Sequence, residues 1–445
     1  MWTDSLGNPV TIDSPASLAP LNDFAEGFIA CQARAVNVIV AAESDPSAMV
    51  QACAAAVHMF AESRDASANA RPYLQRALAA RSLSSAREQR FIDAVAAWVA
   101  GDIPLAIALH EAQARAYPRD LASVKLGQYH LFNQGDAPGM LRLALAALPA
   151  AADVPYLHGM LAFGWEQCHL LEQAEAAARK AIASCRAEPW AHHALAHVML
   201  TQGRIHEGHE FMAQVSDTWV GLNSFMVTHN WWHQALFALE LNRHDVVLAL
   251  YDRKVWGVAK DYSQDQINAV SLLARLELAG VNVGDRWQDL GEYLSKRLQD
   301  HVQPFLDMHY LYGLARAGRS EADTLLRNIQ AHAAVAAPHA AAAWQRVCVP
   351  ASRGLLAHAR GQWESAVEAL GTALPGLVEI GGSHAQRDLF AQIHLDALIR
   401  SGRVNAAQHL LQQQLNTQPE SARLKHQARG VYASLGLESV ATYLR

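Results

Sequence analysis

The stretch GDIPLA, residues 101–106, returns in altered form as GDAPGM at 135–140, HLLEQA at 169–174 and GRIHEG at 203–208, each copy starting 34 residues after the last. At the first position Gly, or a polar residue, ends one helix. Five residues later a small residue, Ala106, Ala174 or Gly208, lets the next helix pack closely. A fixed period of this length marks a unit of two antiparallel helices, A and B, that cannot bury its apolar face without a neighbour. The chain therefore reads as all-α, an α-solenoid of antiparallel helix pairs.

The period is that of tetratricopeptide repeats. Later turns follow as NRHDVV at 242–247, AGVNVG at 279–284, GRSEAD at 318–323, GQWESA at 361–366 and GRVNAA at 402–407. Their spacing widens to near 40, which implies longer helices or loops. Three regions result. Residues 1–97 cap the array, with helical patterns over Leu21–Ala42, Ser47–Ser63 and Ala68–Arg81; 98–257 carry TPR-like repeats of 34–39 residues; 258–445 continue the same superhelix irregularly, its weakest boundary near 258–268.

Composition supports helices: 51% of the 445 residues are hydrophobic and 18% charged, with Ala and Leu abundant and β-branched residues sparse. Net charge is −6, with no block of Lys and Arg, so a nucleic-acid partner has no electrostatic footprint. The start, MWTDSLGNPV, lacks a basic region and an apolar core, and no run of about eighteen apolar residues occurs, so neither secretion nor a membrane partner is expected. Five scattered cysteines without a CxxC pair fit a reducing cytoplasm. Histidine stands out, with 22 copies against 36 of Lys and Arg together.

The A helices of such a solenoid line its concave face, the usual binding surface. THNWWHQALFALEL, residues 228–241, is an A helix. On a wheel of 100° per residue His229, His233, Leu236 and Glu240 share one face, Trp231, Ala235 and Ala238 take the opposite one, and Trp232 flanks the histidines. The preceding A helix repeats the arrangement with His193, His197, Leu200 and Arg204. Helices pack about 8–10 Å apart, so these four imidazoles can converge on one ligand, ion or water. The bland alternative is that they hydrogen-bond between helices inside an apolar stack. HxxxH chelates zinc from one helical face, but Trp stands where HExxH has its general base, and no spacing selects a metal. No cofactor is expected, and a divalent metal is the alternative.

Two further clusters lie toward the C-terminus. In LQDHVQPFLDMHYL, residues 298–311, Pro304 starts a new helix beside Asp300, His301, Asp307 and His309. In EIGGSHAQRDLFAQIHLDAL, residues 379–398, Ser383 is the N-cap of a helix whose first turns carry Gln386, Arg387 and Asp388, and Arg387 shares a face with His394. Arg387 suits either a carboxylate clamp or a salt bridge to a neighbouring helix. GxGxxG, a P-loop and GxSxG do not occur, so nucleotide binding and nucleophile-elbow hydrolysis have no motif.

The segments EPWAHHALAHVMLTQGRIHEG (188–208), HNWWHQALFALE (229–240), VGDRWQDL (283–290), DHVQPFLDMHYL (300–311) and GGSHAQRDLF (381–390) resemble, in order and spacing, those of the tetratricopeptide repeat protein 38 family. The resemblance spans about residues 90–415. It implies a soluble TPR-like array and brings no reaction.

Two functions follow from these residues. One is a binding protein that takes a small molecule or peptide in a His- and Trp-rich concave groove, with Trp232, Glu240, Gln386, Arg387, Asp388 and His394 as contacts. The other is a hydrolase or lyase in the same groove, with His193, His197, His229, His233, Asp307 and His309 as acid–base residues, Arg387 for an anion, and a metal as an optional aid. Self-association is compatible with both.

Overall fold

The computed structural model describes residues 2–444 and is helical almost throughout. The chain forms two compact units, one of residues up to Leu195 with Asp217–Val227, the other of Ala196–Ser216 with residues from Thr228 onward. Unit 1 begins with a small hairpin, β1 (Trp2–Thr3) and β2 (Pro9–Val10). It continues through α1 (Leu18–Ile29), α2 (Asn37–Ala41), α3 (Ala48–Met59), α4 (Ala66–Ala80), α5 (Ala86–Val99), α6 (Ile103–Ala116), α7 (Leu121–Asn133), α8 (Ala137–Ala151), α9 (Pro155–Gln167) and α10 (Leu171–Ser184). The division between units falls inside α11 (Pro189–Thr201). α12 (Ile205–Val215) follows, then α13 (Ser224–Glu240), which enters unit 2 at Thr228. Unit 2 then holds α14 (His244–Leu250), α15 (Ser263–Leu278), α16 (Arg286–Leu294), α17 (Pro304–Arg316), α18 (Glu321–Val335), α19 (Val349–Ala359), α20 (Trp363–Ala373), α21 (His384–Arg400), α22 (Val404–Thr417), α23 (Ala422–Ser434) and α24 (Glu438–Tyr443).

From α5 on, odd-numbered helices are A helices and even-numbered ones are B helices. Each A helix ends in the same way. Gly101, Gly135, His169, Gly203, Asn242, Gly280, Gly318, Gly361, Gly402 and Gly436 adopt left-handed backbone with φ between 55° and 81°. Two amides then reach back over the helix end, as from Gly101 to the Trp98 carbonyl and from Asp102 to the Ala97 carbonyl, both 2.9 Å. The same pair recurs at the last turn, from Gly436 to Ala433 and Leu437 to Tyr432. This is the Schellman closure, which satisfies carbonyls that a helix end otherwise leaves open. The Asp after the first two turn glycines starts the B helix: Asp102 accepts from the Leu105 amide and Asp136 from the Gly139 amide, with Pro in each first turn.

The expected solenoid of helix pairs is thus the fold, and the turn near 436 extends it by a pair that the sequence comparison did not single out. Pro304 opens α17 as expected, and Ser383 caps α21 in a reciprocal box with Gln386. The pattern over Leu21–Ala42 is corrected to two helices. The chain turns at Cys31, φ 53°, where its carbonyl accepts from the Asn223 amide at 2.7 Å and the Ala33 amide donates to Gly221 at 2.9 Å. The hairpin was not expected either. The segment after it is fastened to α5 by the buried Glu88, which accepts from the amide and the hydroxyl of Thr11 at 2.7 and 2.8 Å.

In unit 2 the inner faces of the A helices meet. Arg275 of α15 donates to the Ala385 carbonyl of α21 at 2.8 Å. Glu240 at the end of α13 accepts from Arg423 of α23 at 2.8 Å, and Gln418 donates to the Leu200 carbonyl at 2.9 Å. In unit 2, inner side chains thus bond to one another across the concave face on which the sequence places the groove.

Gly402 has nothing within 4 Å of the position of a Cβ, whereas a Cβ on Gly208 overlaps the Phe237 ring. Gly402→Ala should cost about 1 kcal/mol, through left-handed backbone alone. Gly208→Ala should cost more, up to about 3 kcal/mol, through overpacking. Urea unfolding of the two variants checks the order, and a larger loss at Gly402 contradicts it.

Candidate functional site

The polar centre of unit 2 is built from one face of each of four A helices. α13 presents His229, Trp232 and His233, all at most 2% exposed, and the last turns of α11 add His197 at 0%. Histidines four apart on α13 stack on one stripe, as helical geometry requires. The ring centroids of His229 and His233 lie 4.9 Å apart and those of His233 and His197 4.5 Å apart. His384, half-buried at the start of α21, stands 5.2 Å from His197. Trp232 stacks flat on His229, 5.1 Å away at 9°, and meets His233 edge-on.

α15 fixes the chemistry of His229. Its Nδ1 lies 3.0 Å from Oδ1 of the buried Asn268. An amide oxygen only accepts, so Nδ1 carries the hydrogen and Nε2 keeps its lone pair. Burial pushes the pKa of His229 down to about 3, and the ring is neutral at physiological pH. One ring nitrogen of His197, His229 and His233 each falls within 4.8 Å of the others. Three imidazole nitrogens are thus grouped around one point.

Arg275 is the charged member of the centre and was not singled out from the sequence. Its guanidinium is buried, with a pKa pushed down to about 10 by desolvation. It donates to Ser271 at 2.5 Å and to Ala385, lies 3.7 Å from Asp388, and sits 5.6 Å from the Trp232 ring. A signal was present: Asp265, Asn268, Ser271 and Arg275 form a polar stripe at helical spacing along α15.

The other expected residues are placed as follows. His193 belongs to unit 1, where its ring packs against Phe163 at 4.9 Å and Trp190 at 5.1 Å. Asp307, fully buried, bonds His301 Nδ1 at 2.6 Å instead of joining His309, and burial raises its carboxyl to about 6. His309 points the other way around α17: it bonds the Phe305 carbonyl at 2.8 Å and packs on Phe390 of α21. Glu240 is bound to Arg423 and Ser421. Gln386 serves the Ser383 cap, Arg387 donates to the carbonyls of Gly381 and Gly382, and Asp388 accepts from Gln392 at 2.5 Å. His394 is half-buried farther along α21. Within unit 2, His197, His229, His233 and Trp232 of the expected set come together.

Unit 1 holds a separate cluster that sequence reading missed. Lys125 of α7 is buried with its Nζ 3.3 Å from the centre of the Trp190 ring, and desolvation pushes its pKa down to about 8. Trp190 donates to Cys31 Sγ at 3.0 Å, and the fully buried Glu188 accepts from the amides of Trp190 and Ala191. A lone Lys in an apolar helix gives no spacing signal.

No protein-family model matches the sequence. Among solved structures, the human IFIT1 dimer with PPP-AAAA is similar at 12% identity over 89% of this chain and 89% of that one, with a TM-score of 0.44. The Naa15/Naa10 complex bound to HypK-THB gives 11% identity over 96% of this chain and 68% of that one, at 0.26. The TPR domain of P58(IPK) gives 9% over 72% and 99%, at 0.20. Likeness at this level bears on neither ligand nor activity, and the TPR-like assignment stands on the helix pairs and their closures.

The neutral state of His229 has a consequence for stability. Its folded pKa of about 3 lies below the usual 6.5, so the unfolded chain binds more protons between them. Stability is then lost as pH falls from about 6.5 toward 3. Between pH 7.5 and 5 the wild type should lose about 2 kcal/mol more than His229→Gln. Urea unfolding of both proteins at the two pH values measures this difference, and equal losses refute a neutral His229.

Proposed function

We propose that this chain is a TPR-like binding protein of the cytoplasm, of the tetratricopeptide repeat protein 38 type, that takes a small ligand at the imidazole centre of unit 2. The observation that supports this most is the grouping of His197, His229 and His233 against the flat face of Trp232, with His229 oriented by Asn268. Such a centre offers imidazole nitrogens, a π surface and the cation of Arg275 within a low-dielectric interior. Aliphatic packing would stabilise the helices equally well. An extended peptide suits it less, since the bonds from Arg275 to Ala385 and from Glu240 to Arg423 span the inner face it would occupy. The hydrolase or lyase alternative requires Asp307 and Arg387 beside the histidines, yet both are engaged elsewhere, with His301 and with the Gly381 and Gly382 carbonyls.

Native mass spectrometry of the purified protein tests the reading. The expected result is a non-covalent mass, organic or inorganic, that His233→Leu loses while circular dichroism stays helical. A bare chain mass from several expression hosts overturns it.

A further inference from the structure

Building on that reading, we propose that His197, His229 and His233 are protein ligands of a divalent transition-metal ion of the zinc type.

The donor set suits such an ion. Imidazole nitrogens are common ligands of such ions, and several of them on one ion match known zinc donor sets. The three ligand nitrogens lie within 4.8 Å of one another. A tetrahedral ion with Zn–N bonds of about 2.0–2.1 Å holds its nitrogens roughly 3.3 Å apart, so a small rotation of the rings closes the site. His229 carries the expected outer-shell partner: Nδ1–H is given to the Asn268 carbonyl at 3.0 Å, which fixes the tautomer and aims Nε2 as the donor. The flat contact of Trp232 on His229 holds the ring plane. Imidazole nitrogen donors discriminate against magnesium and calcium.

The test uses the full chain, purified without a chelating tag, stripped with EDTA and titrated with Zn(II) and separately with Co(II). One equivalent of Zn(II) retained through gel filtration, a raised unfolding temperature and the visible absorption of four-coordinate Co(II) are expected. His229→Gln and His233→Gln should each weaken binding about tenfold or more, and Asn268→Leu by about 10–100-fold through loss of orientation. His394→Gln should leave it unchanged. A wild-type chain that retains no Zn(II) and gives no Co(II) spectrum overturns the metal site whether or not the variants fold, as does an equal loss in His394→Gln. An organic mass in the native spectrum with no metal refutes the ion while leaving the small-ligand reading intact; absence of both refutes the two together.

Discussion

The pair of amide hydrogen bonds that closes each A helix sets the rest of the structure. A left-handed residue cannot continue an α-helix, and its two backward bonds leave the chain pointing along a defined antiparallel path. Repeating that closure within a unit sets the successive A helices of that unit in the same phase. Polar residues at equivalent positions of different repeats then arrive on one surface, though nothing in their local sequence joins them. The meeting of His197 with His233 is a product of turn geometry as much as of the histidines themselves.

The fold was legible because its controlling signal is local. Gly and its substitutes at the turns, Asp or Ser at helix starts and small residues at close crossings all act within a few positions of themselves, and each leaves a mark that spacing reveals. The pairing of His229 with His233 was legible for the same reason, since both lie on one helix. Curvature was not legible. Whether a superhelix leaves a groove or fills it depends on contacts such as Glu240 with Arg423, which join residues 183 apart. Arg387 illustrates the cost of reading type and face without distance: its guanidinium turns back to its own loop. Arg275 shows the converse, a residue whose role becomes visible once α15 and α21 are seen to touch.

Electrostatics separates the two ways in which this chain buries polar groups. Arg87 with Asp120 in unit 1 and Glu240 with Arg423 in unit 2 are charges met by charges at 2.8 Å, a structural arrangement that compensates its own desolvation. The imidazole centre is different. There burial suppresses protonation of His229, and aromatic rings pack beside it in place of a paired carboxylate. Side chains that only filled space would gain nothing from such an arrangement.

The bonds from Arg423 to Glu240 and from Gln418 to the Leu200 carbonyl also alter how unit 2 comes apart. An open repeat array is a one-dimensional system in which each unit feels its two neighbours, and it frays from either end at the cost of a single interface. Joining early repeats to late ones makes a ring. Fraying must then break an interface and a long-range link together, and the loop-closure entropy spent in forming that link is recovered only when the whole circuit opens. Unit 2 is thereby given the all-or-none character of a globular domain while being built from parts that recur like beads.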